Sequence, residues 1–117
     1  MAGTITIYGI RNCDTMKKAR KWLDEHAVAY DFHDYKASGV TAEQLKTWSK
    51  AVGWEKLLNR AGTTFRKLPD SEKTGLDEAK AIALMVDQPS MIKRPVLDTG
   101  GTYLIGFKPD EYGKAFA

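Results

Sequence analysis

Alternating apolar and polar residues near the start of the chain predict a strand, a helix and a second strand, in that order. Residues 4–8 alternate β-branched and aromatic side chains, which is typical of a strand. From Asp14 to His26 apolar residues recur at helical spacing, and residues 28–35 alternate again. Because a strand–helix–strand unit crosses over with a right hand, we expect these two strands to be parallel.

The middle of the chain carries helical patterns separated by glycine and proline. Thr41 and Gln44 have the spacing of a capping box, which predicts a helix that ends near Ala51. A short helix is expected over residues 54–58, and a longer one from Leu76 to Val86. We therefore predict a helical block in this part of the chain.

The C-terminal part predicts a β-hairpin and a final helix. Residues 96–98 and 103–105 are short apolar runs on either side of Gly100-Gly101, and Pro109 stands at the first turn of the last segment. The full order is βαβ, a helical block, then ββα. This order predicts an α/β, thioredoxin-like fold with a four-stranded mixed sheet. We expect a single domain over residues 1–117 with a helical insertion at about 40–90.

Composition indicates an ordinary globular protein and limits its surroundings. The chain has 117 residues, enough for one core, and its 43% hydrophobic and 28% charged residues are ordinary fractions. No apolar run approaches the ~20 residues of a membrane span, and residues 1–4 lack a signal-peptide pattern. One cysteine cannot form an internal disulfide. We therefore expect a cytoplasmic protein with no membrane partner.

The residues of this chain disfavour both metal binding and nucleic-acid binding. One cysteine excludes a site built on cysteines, and His26 and His33 offer too few further ligands. The net charge is only +3, and the basic run 17–21 is not interleaved with aromatic residues as in single-strand binders. We interpret that run as a solvated helix face and expect neither metal nor nucleic acid.

The single cysteine, Cys13, stands where the first strand is followed by the first helix. A thiol at a helix N-terminus meets unpaired N–H groups and the positive end of the dipole, and both favour the thiolate. Asn12 or Asp14 can cap the helix, and Arg11 adds a positive charge. The alternative is a small buried core residue, which the polar neighbours disfavour. Spacing alone leaves a reactive and an inert thiol both open.

Motifs in a fixed order along the chain resemble the arsenate reductase-like family. That family includes glutaredoxin-coupled arsenate reductases, the Spx transcription regulators and a subgroup called YffB, which residues 57–68 resemble most. In the thioredoxin-like fold that this implies, the peptide bond before Pro95 is cis and faces the thiol. The motifs are Ile5-Thr6-Ile7-Tyr8, Asn12-Cys13-Asp14-Thr15, Arg94-Pro95-Val96 and Gly106-Phe107-Lys108-Pro109.

The resemblance assigns expected roles to individual residues. Cys13 matches the catalytic cysteine of the reductases, and Arg94 matches an arginine that binds the oxyanion. Lys108 lies where those enzymes carry a third arginine, and Arg60 lies one position out of register with the remaining one. The histidine that helps to activate the reductase cysteine is replaced by Gly9.

A thiol reductase that uses glutathione is the function we expect. Because the chain has one cysteine, a redox cycle needs a second sulfur from another molecule, and glutathione as co-substrate would form a mixed disulfide on Cys13. We expect a monomeric protein with no bound cofactor. We leave glutaredoxin open as a further partner. The candidate residues for binding glutathione, an anion with two carboxylates, are Arg94, Arg60, Arg11, Asn12 and Lys108.

Two alternative functions remain open. An Spx-like transcription regulator would bind RNA polymerase, although Met16 replaces the second cysteine of the Spx redox switch. A glutaredoxin-coupled arsenate reductase would have to bind arsenate beside Asp14, which replaces the family's glycine and would repel that anion.

Overall fold

The computed structural model describes residues 5–11 and 13–116, which divide into two compact units. The first unit combines the N-terminal part through Ser38 with the C-terminal part from Arg94, and the second is the continuous segment Gly39–Lys93. The second unit covers the stretch predicted as a helical insertion. Thr4, which the sequence pattern includes in the first strand, lies outside the described residues.

A four-stranded sheet with the order β2-β1-β3-β4 forms the framework of the first unit. β1 pairs in parallel with β2, whereas it is antiparallel to β3, and β3 and β4 form an antiparallel hairpin. The predicted mixed sheet of the thioredoxin-like fold is therefore confirmed. The strands are β1 Thr6–Gly9, β2 Asp31–Asp34, β3 Val96–Asp98 and β4 Tyr103–Ile105.

Helices of the described residues occur in both units, and most of them are short. The longest two begin close to the positions that the sequence predicts. In chain order they are α1 Asp14–Glu25, α2 Tyr35–Ser38, α3 Ala42–Val52, α4 Trp54–Leu57, α5 Thr63–Arg66, α6 Asp70–Lys73, α7 Glu78–Asp87 and α8 Pro109–Ala115. No helix among them is long and apolar enough to cross a membrane.

Strand β2 is shorter than the alternation of residues 28–35 predicts. Its end is set by Asp34, whose Oδ1 accepts hydrogen bonds from the backbone N–H groups of Lys36 (3.0 Å) and Ala37 (3.2 Å). By accepting these hydrogen bonds, the Asp34 carboxylate stabilises a helical turn where the strand would otherwise continue. Tyr35 is consequently the first residue of α2, and it is completely buried.

The core of the first unit is formed by the sheet together with α1 and α8. Ile7 and Leu97 are directly paired on β1 and β3, so their side chains point to the same face. The buried residues of α1 recur three and four positions apart, as a single helix face requires. The buried cluster comprises Ile7, Met16, Ala19, Leu23, Leu97 and Tyr112.

In the second unit α3 packs against α7, and side-chain caps define where both helices begin. The predicted capping box is confirmed: the Gln44 N–H donates to Thr41 Oγ1 and the Thr41 N–H donates to Gln44 Oε1, each at 3.1 Å. At α7 the Lys80 N–H donates to Asp77 Oδ1 at 2.8 Å, so this helix begins two residues later than the pattern from Leu76 predicts.

Candidate active site at the edge of the sheet

Three chain segments of the first unit meet at one edge of its sheet. Gly9 at the end of β1 pairs with Asp34 at the end of β2, and Tyr8 pairs with Val96 at the start of β3. The residues that follow β1 and β2 and those that precede β3 therefore lie at the same edge. They include Cys13 before α1, Tyr35 at the start of α2, and Arg94 with Pro95 before β3.

Cys13 is itself the N-cap residue of α1. Its backbone is extended, with φ −100° and ψ 132°, and its free thiol is half-buried. The expectation that Asp14 caps this helix is wrong, because Asp14 is the first residue inside it and is exposed. The other expected cap, Asn12, lies outside the described residues. The thiol therefore sits beside the unpaired N–H groups of the first turn.

The environment of Cys13 favours its thiolate. Partial burial is the largest single influence and raises the pKa of the thiol. The backbone N–H groups of Met16 and Thr15 and the positive charge of Arg94 favour the thiolate, outweigh burial and lower the pKa of the thiol below its ordinary value. Because the thiolate is the nucleophilic form, Cys13 is better prepared to react at neutral pH than a free cysteine.

Arg94 is the predicted binding residue that the structure brings to the thiol. Its guanidinium donates a hydrogen bond to the sulfur of Cys13, and the residue is half-buried. The Arg94–Pro95 peptide bond is cis, the isomer that the resemblance implies, and Pro95 is buried. Val96 follows directly in β3, so the pairing of β3 with β1 determines where Arg94 stands.

Tyr35 belongs to this cluster, although the sequence pattern placed it in a strand without any role. Burial raises the pKa of its phenol, Arg94 lowers it, and Cys13 and Asp34 raise it, with a net upward shift. The phenol is thus close enough to sense the charges of both Cys13 and Arg94, and it stays protonated. A tyrosine directly after the strand that neighbours β1 is the sequence signal that could have identified it.

Gly9 packs against the side chain of Met16, which is completely buried. A Cβ at Gly9 would lie 2.6 Å from Met16 Cε and closer still to Sδ, so the thioether occupies the space that a larger residue would need. The resemblance implies that Gly9 replaces an activating histidine. The groups that lower the pKa of the Cys13 thiol are backbone amides and Arg94.

The remaining predicted binding residues are placed as follows. Arg11 and Lys108 are exposed, and neither is among the residues that influence the pKa of the Cys13 thiol. Arg60 belongs to the second unit, where its guanidinium carbon lies 5.4 Å from the centroid of the Trp54 ring in a cation–π contact. Asn12 is outside the described residues, so the structure does not describe its proposed role.

Both histidines make ring contacts. His26 is the C-cap of α1 and stacks on Trp22 with 3.8 Å between ring centroids, and His33 lies 5.2 Å from the ring of Tyr8. Over residues 5–11 and 13–116, no group of three or more His, Cys, Asp or Glu residues could hold a metal ion.

Known proteins that are similar to this chain match it over nearly its whole length. A model described as the ArsC family matches residues 8–115. A solved structure, the YffB (PA3664) protein, is 66% identical with a TM-score of 0.95, and the match covers 97% of this chain and 100% of that one. An uncharacterised protein of Haemophilus influenzae is 42% identical over 113 residues, which is 97% of this chain and 99% of that protein. The global transcriptional regulator Spx of Streptococcus mutans is 29% identical over 109 residues, 92% of this chain and 79% of Spx.

Proposed function

Since this chain belongs to the ArsC family, we propose that it is a glutathione-dependent thiol oxidoreductase that forms a mixed disulfide on Cys13. The expected family and the likeness to YffB are both confirmed. The observation that carries the proposal is the position of Cys13 at the N-terminus of α1 beside Arg94, where backbone amides and the guanidinium lower the pKa of its thiol. A thiol held in this way is a nucleophile and also a good leaving group.

The proposed cycle reduces a disulfide between a substrate and glutathione. The Cys13 thiolate attacks the glutathionyl sulfur, the substrate S–S bond breaks, and the substrate thiolate leaves and takes a proton from solvent. A second glutathione, as thiolate, then attacks the glutathionyl sulfur on Cys13. Oxidised glutathione leaves and the Cys13 thiolate is restored. The disulfide bond of the substrate has then been exchanged for the disulfide bond of oxidised glutathione, and the second glutathione is the reductant.

Recognition of glutathione is proposed to depend on its two carboxylates. Arg94 is the proposed anchor beside the thiol, and Arg60, Arg11, Asn12 and Lys108 are further proposed contacts. A guanidinium binds a carboxylate through two parallel hydrogen bonds, which an ammonium group cannot do. We place the cycle in the cytoplasm of the cell, where glutathione is reduced, with the protein acting as a monomer and a glutaredoxin as an alternative source of the second thiol.

Intact-mass spectrometry after incubation with oxidised glutathione tests the covalent step. We expect one glutathionyl group on the wild-type chain, none on Cys13→Ser, and release of the group by excess reduced glutathione. The absence of an adduct on the wild-type protein, with a Cys13 pKa at or above about 8.5, would exclude the proposal.

Arg94→Gln tests the contribution of the guanidinium to the thiol. Loss of its charge and hydrogen bond should raise the pKa of Cys13 and slow alkylation by iodoacetamide at pH values below that pKa, by roughly three- to tenfold. Arg66→Gln is the matched control, because Arg66 is an exposed arginine of the second unit, and its alkylation rate should equal that of the wild type. Equal rates for both variants would contradict the assigned role of Arg94.

Titration with S-methylglutathione, followed by NMR, tests the binding residues without covalent reaction. Amide shifts that include Cys13, Arg94 and Arg60 would support the proposed anchors. Shifts confined to other residues would remove these three from the binding site.

The Spx relatives favour a second candidate, a transcription regulator that binds RNA polymerase. Capture of RNA polymerase by both the wild type and Cys13→Ser, together with an unreactive thiol, would favour this candidate over the enzyme.

Arsenate reduction is the outcome we do not expect, because the Asp14 carboxylate follows Cys13 directly and would repel the arsenate anion. An arsenate assay with glutathione and glutaredoxin decides the point.

A further inference from the structure

We infer that Tyr35 is a positioning residue, whose hydroxyl holds the Arg94 guanidinium against the sulfur of Cys13. The inference rests on the proposed thiol chemistry at this edge of the sheet. Tyr35, Arg94 and Cys13 all belong to the first unit. Arg94 touches the reacting sulfur, whereas Tyr35 is inferred to act through Arg94.

The strand register places Tyr35 and Arg94 on opposite sides of the end of β1. Gly9 pairs with Asp34, so Tyr35, the next residue, stands on the β2 side of this edge. Tyr8 pairs with Val96, so Arg94 stands on the β3 side. Helix α2, which Tyr35 begins, contacts both β1 and β2, and the side chain of Tyr35 is fully buried. A polar hydroxyl is thus buried at the end of the sheet that carries the thiol.

Two of the three charged groups that influence the Tyr35 phenol, Arg94 and Cys13, belong to the thiol site, and the third is Asp34. Burial raises its pKa most, Arg94 lowers it, and Cys13 and Asp34 raise it, so the phenol is neutral at physiological pH. A neutral hydroxyl can orient a guanidinium through a hydrogen bond without cancelling its charge. A carboxylate in the same place would neutralise Arg94 and weaken its effect on the thiolate.

Tyr112 provides a matched control within the same unit. It is also a completely buried tyrosine, and among the described residues its hydroxyl has no hydrogen-bond partner. Burial and Glu111 are the influences that raise the pKa of its phenol. Removing this hydroxyl therefore makes the same chemical change away from the charges of the thiol site.

Tyr35→Phe tests the inference because it keeps the ring and removes only the hydroxyl. We expect the pKa of Cys13, measured from the ultraviolet absorbance of the thiolate, to rise by about half a unit to one unit. Alkylation below that pKa should slow by roughly three- to tenfold. Tyr112→Phe should leave both quantities unchanged. An unchanged Cys13 pKa in Tyr35→Phe overturns this inference and leaves the proposed function intact. A wild-type Cys13 with the pKa of a free thiol overturns both the inference and the proposed function.

The Arg94→Gln background separates positioning from a direct effect. Because the hydroxyl acts through Arg94, adding Tyr35→Phe to Arg94→Gln should change the Cys13 pKa little further. An equal rise in both backgrounds would show that Tyr35 acts independently of Arg94 and would overturn the inference.

In the unaltered protein, the NMR signal of the Tyr35 ring should follow the ionisation of Cys13, and that of Tyr112 should not. A Tyr35 ring that does not respond overturns the inference even if the variant fails to fold.

Discussion

The thiol of Cys13 is subject to opposing effects of burial and hydrogen bonding. Withdrawal from water disfavours the thiolate, yet the amides of Thr15 and Met16 and the guanidinium of Arg94 more than compensate. The activating groups are fixed by secondary structure and strand pairing, and none of them is a general base. In the proposed cycle, these groups would stabilise the thiolate both before attack and when it leaves.

Gly9→Ala tests the close packing of Gly9 against Met16. The new methyl group would overlap the buried Met16 side chain, and we expect a loss of about 1–3 kcal/mol in the free energy of unfolding, measured with urea. In a Met16→Ala background the same change should cost less, because the space is then free.

Gly113→Ala is the control for that substitution. A Cβ at Gly113 in α8 meets no atom within 4 Å, so this change should preserve or raise stability, by up to about 1 kcal/mol. If Gly9→Ala costs no more than Gly113→Ala, the assigned packing of Met16 against Gly9 is wrong.

Side-chain caps determine where several helices begin. Thr41 caps α3 and Asp77 caps α7, and the Asp34 carboxylate supports the turn that becomes α2. Each cap satisfies backbone N–H groups that the first turn of a helix leaves unpaired. At α2 this local interaction places Tyr35 at the edge of the sheet that carries the thiol.

Thr41→Ala tests the capping box of α3. Loss of Thr41 Oγ1 leaves the Gln44 N–H without its acceptor, and we expect the free energy of unfolding to fall by about 1 kcal/mol. Thr41→Ser retains the hydroxyl and should lose much less. Urea unfolding of both variants decides, and equal losses would contradict the cap as the cause.

For the whole molecule, a lowered thiol pKa links stability to pH. The pKa of Cys13 is lower in the folded protein than in the unfolded chain, so folding stabilises the thiolate. This contribution is complete above the unfolded pKa of about 8.5 and is lost as the pH falls through the folded pKa. The active form of the thiol and the stability of the protein therefore respond to pH in the same direction.

A comparison of the wild type with Cys13→Ser isolates this linkage, since serine does not titrate. The stability of the wild type relative to the variant should rise with pH between the folded pKa of Cys13 and about 8.5, and then level off. Urea unfolding in reducing buffer at a series of pH values measures it. A difference that is constant or falls with rising pH would show that the pKa is not lowered.

Sequence patterns predicted those features that depend on neighbouring residues. The helix after Cys13, the capping box at Thr41 and the hairpin around Gly100-Gly101 arise from side chains a few positions apart. The same logic failed at Tyr35, because strand-like alternation competed there with the acceptor that Asp34 offers to the next turn. Glutathione and its contacts with Arg94, Arg60, Arg11, Asn12 and Lys108 stay predictions.

By itself the sequence determined the order of the four strands and of helices α1, α3, α4, α7 and α8, and the position of a thiol at a helix N-terminus, because these depend on local backbone preferences. Only the tertiary structure decided that Arg94 reaches that thiol and that the charges of Cys13 and Arg94 act on the Tyr35 phenol. It also decided that Met16 fills the space beside Gly9. The reason for the first two is that Cys13, Tyr35 and Arg94 are distant from one another in the chain. Their positions follow from the register of β1 with β2 and β3, which no local pattern specifies.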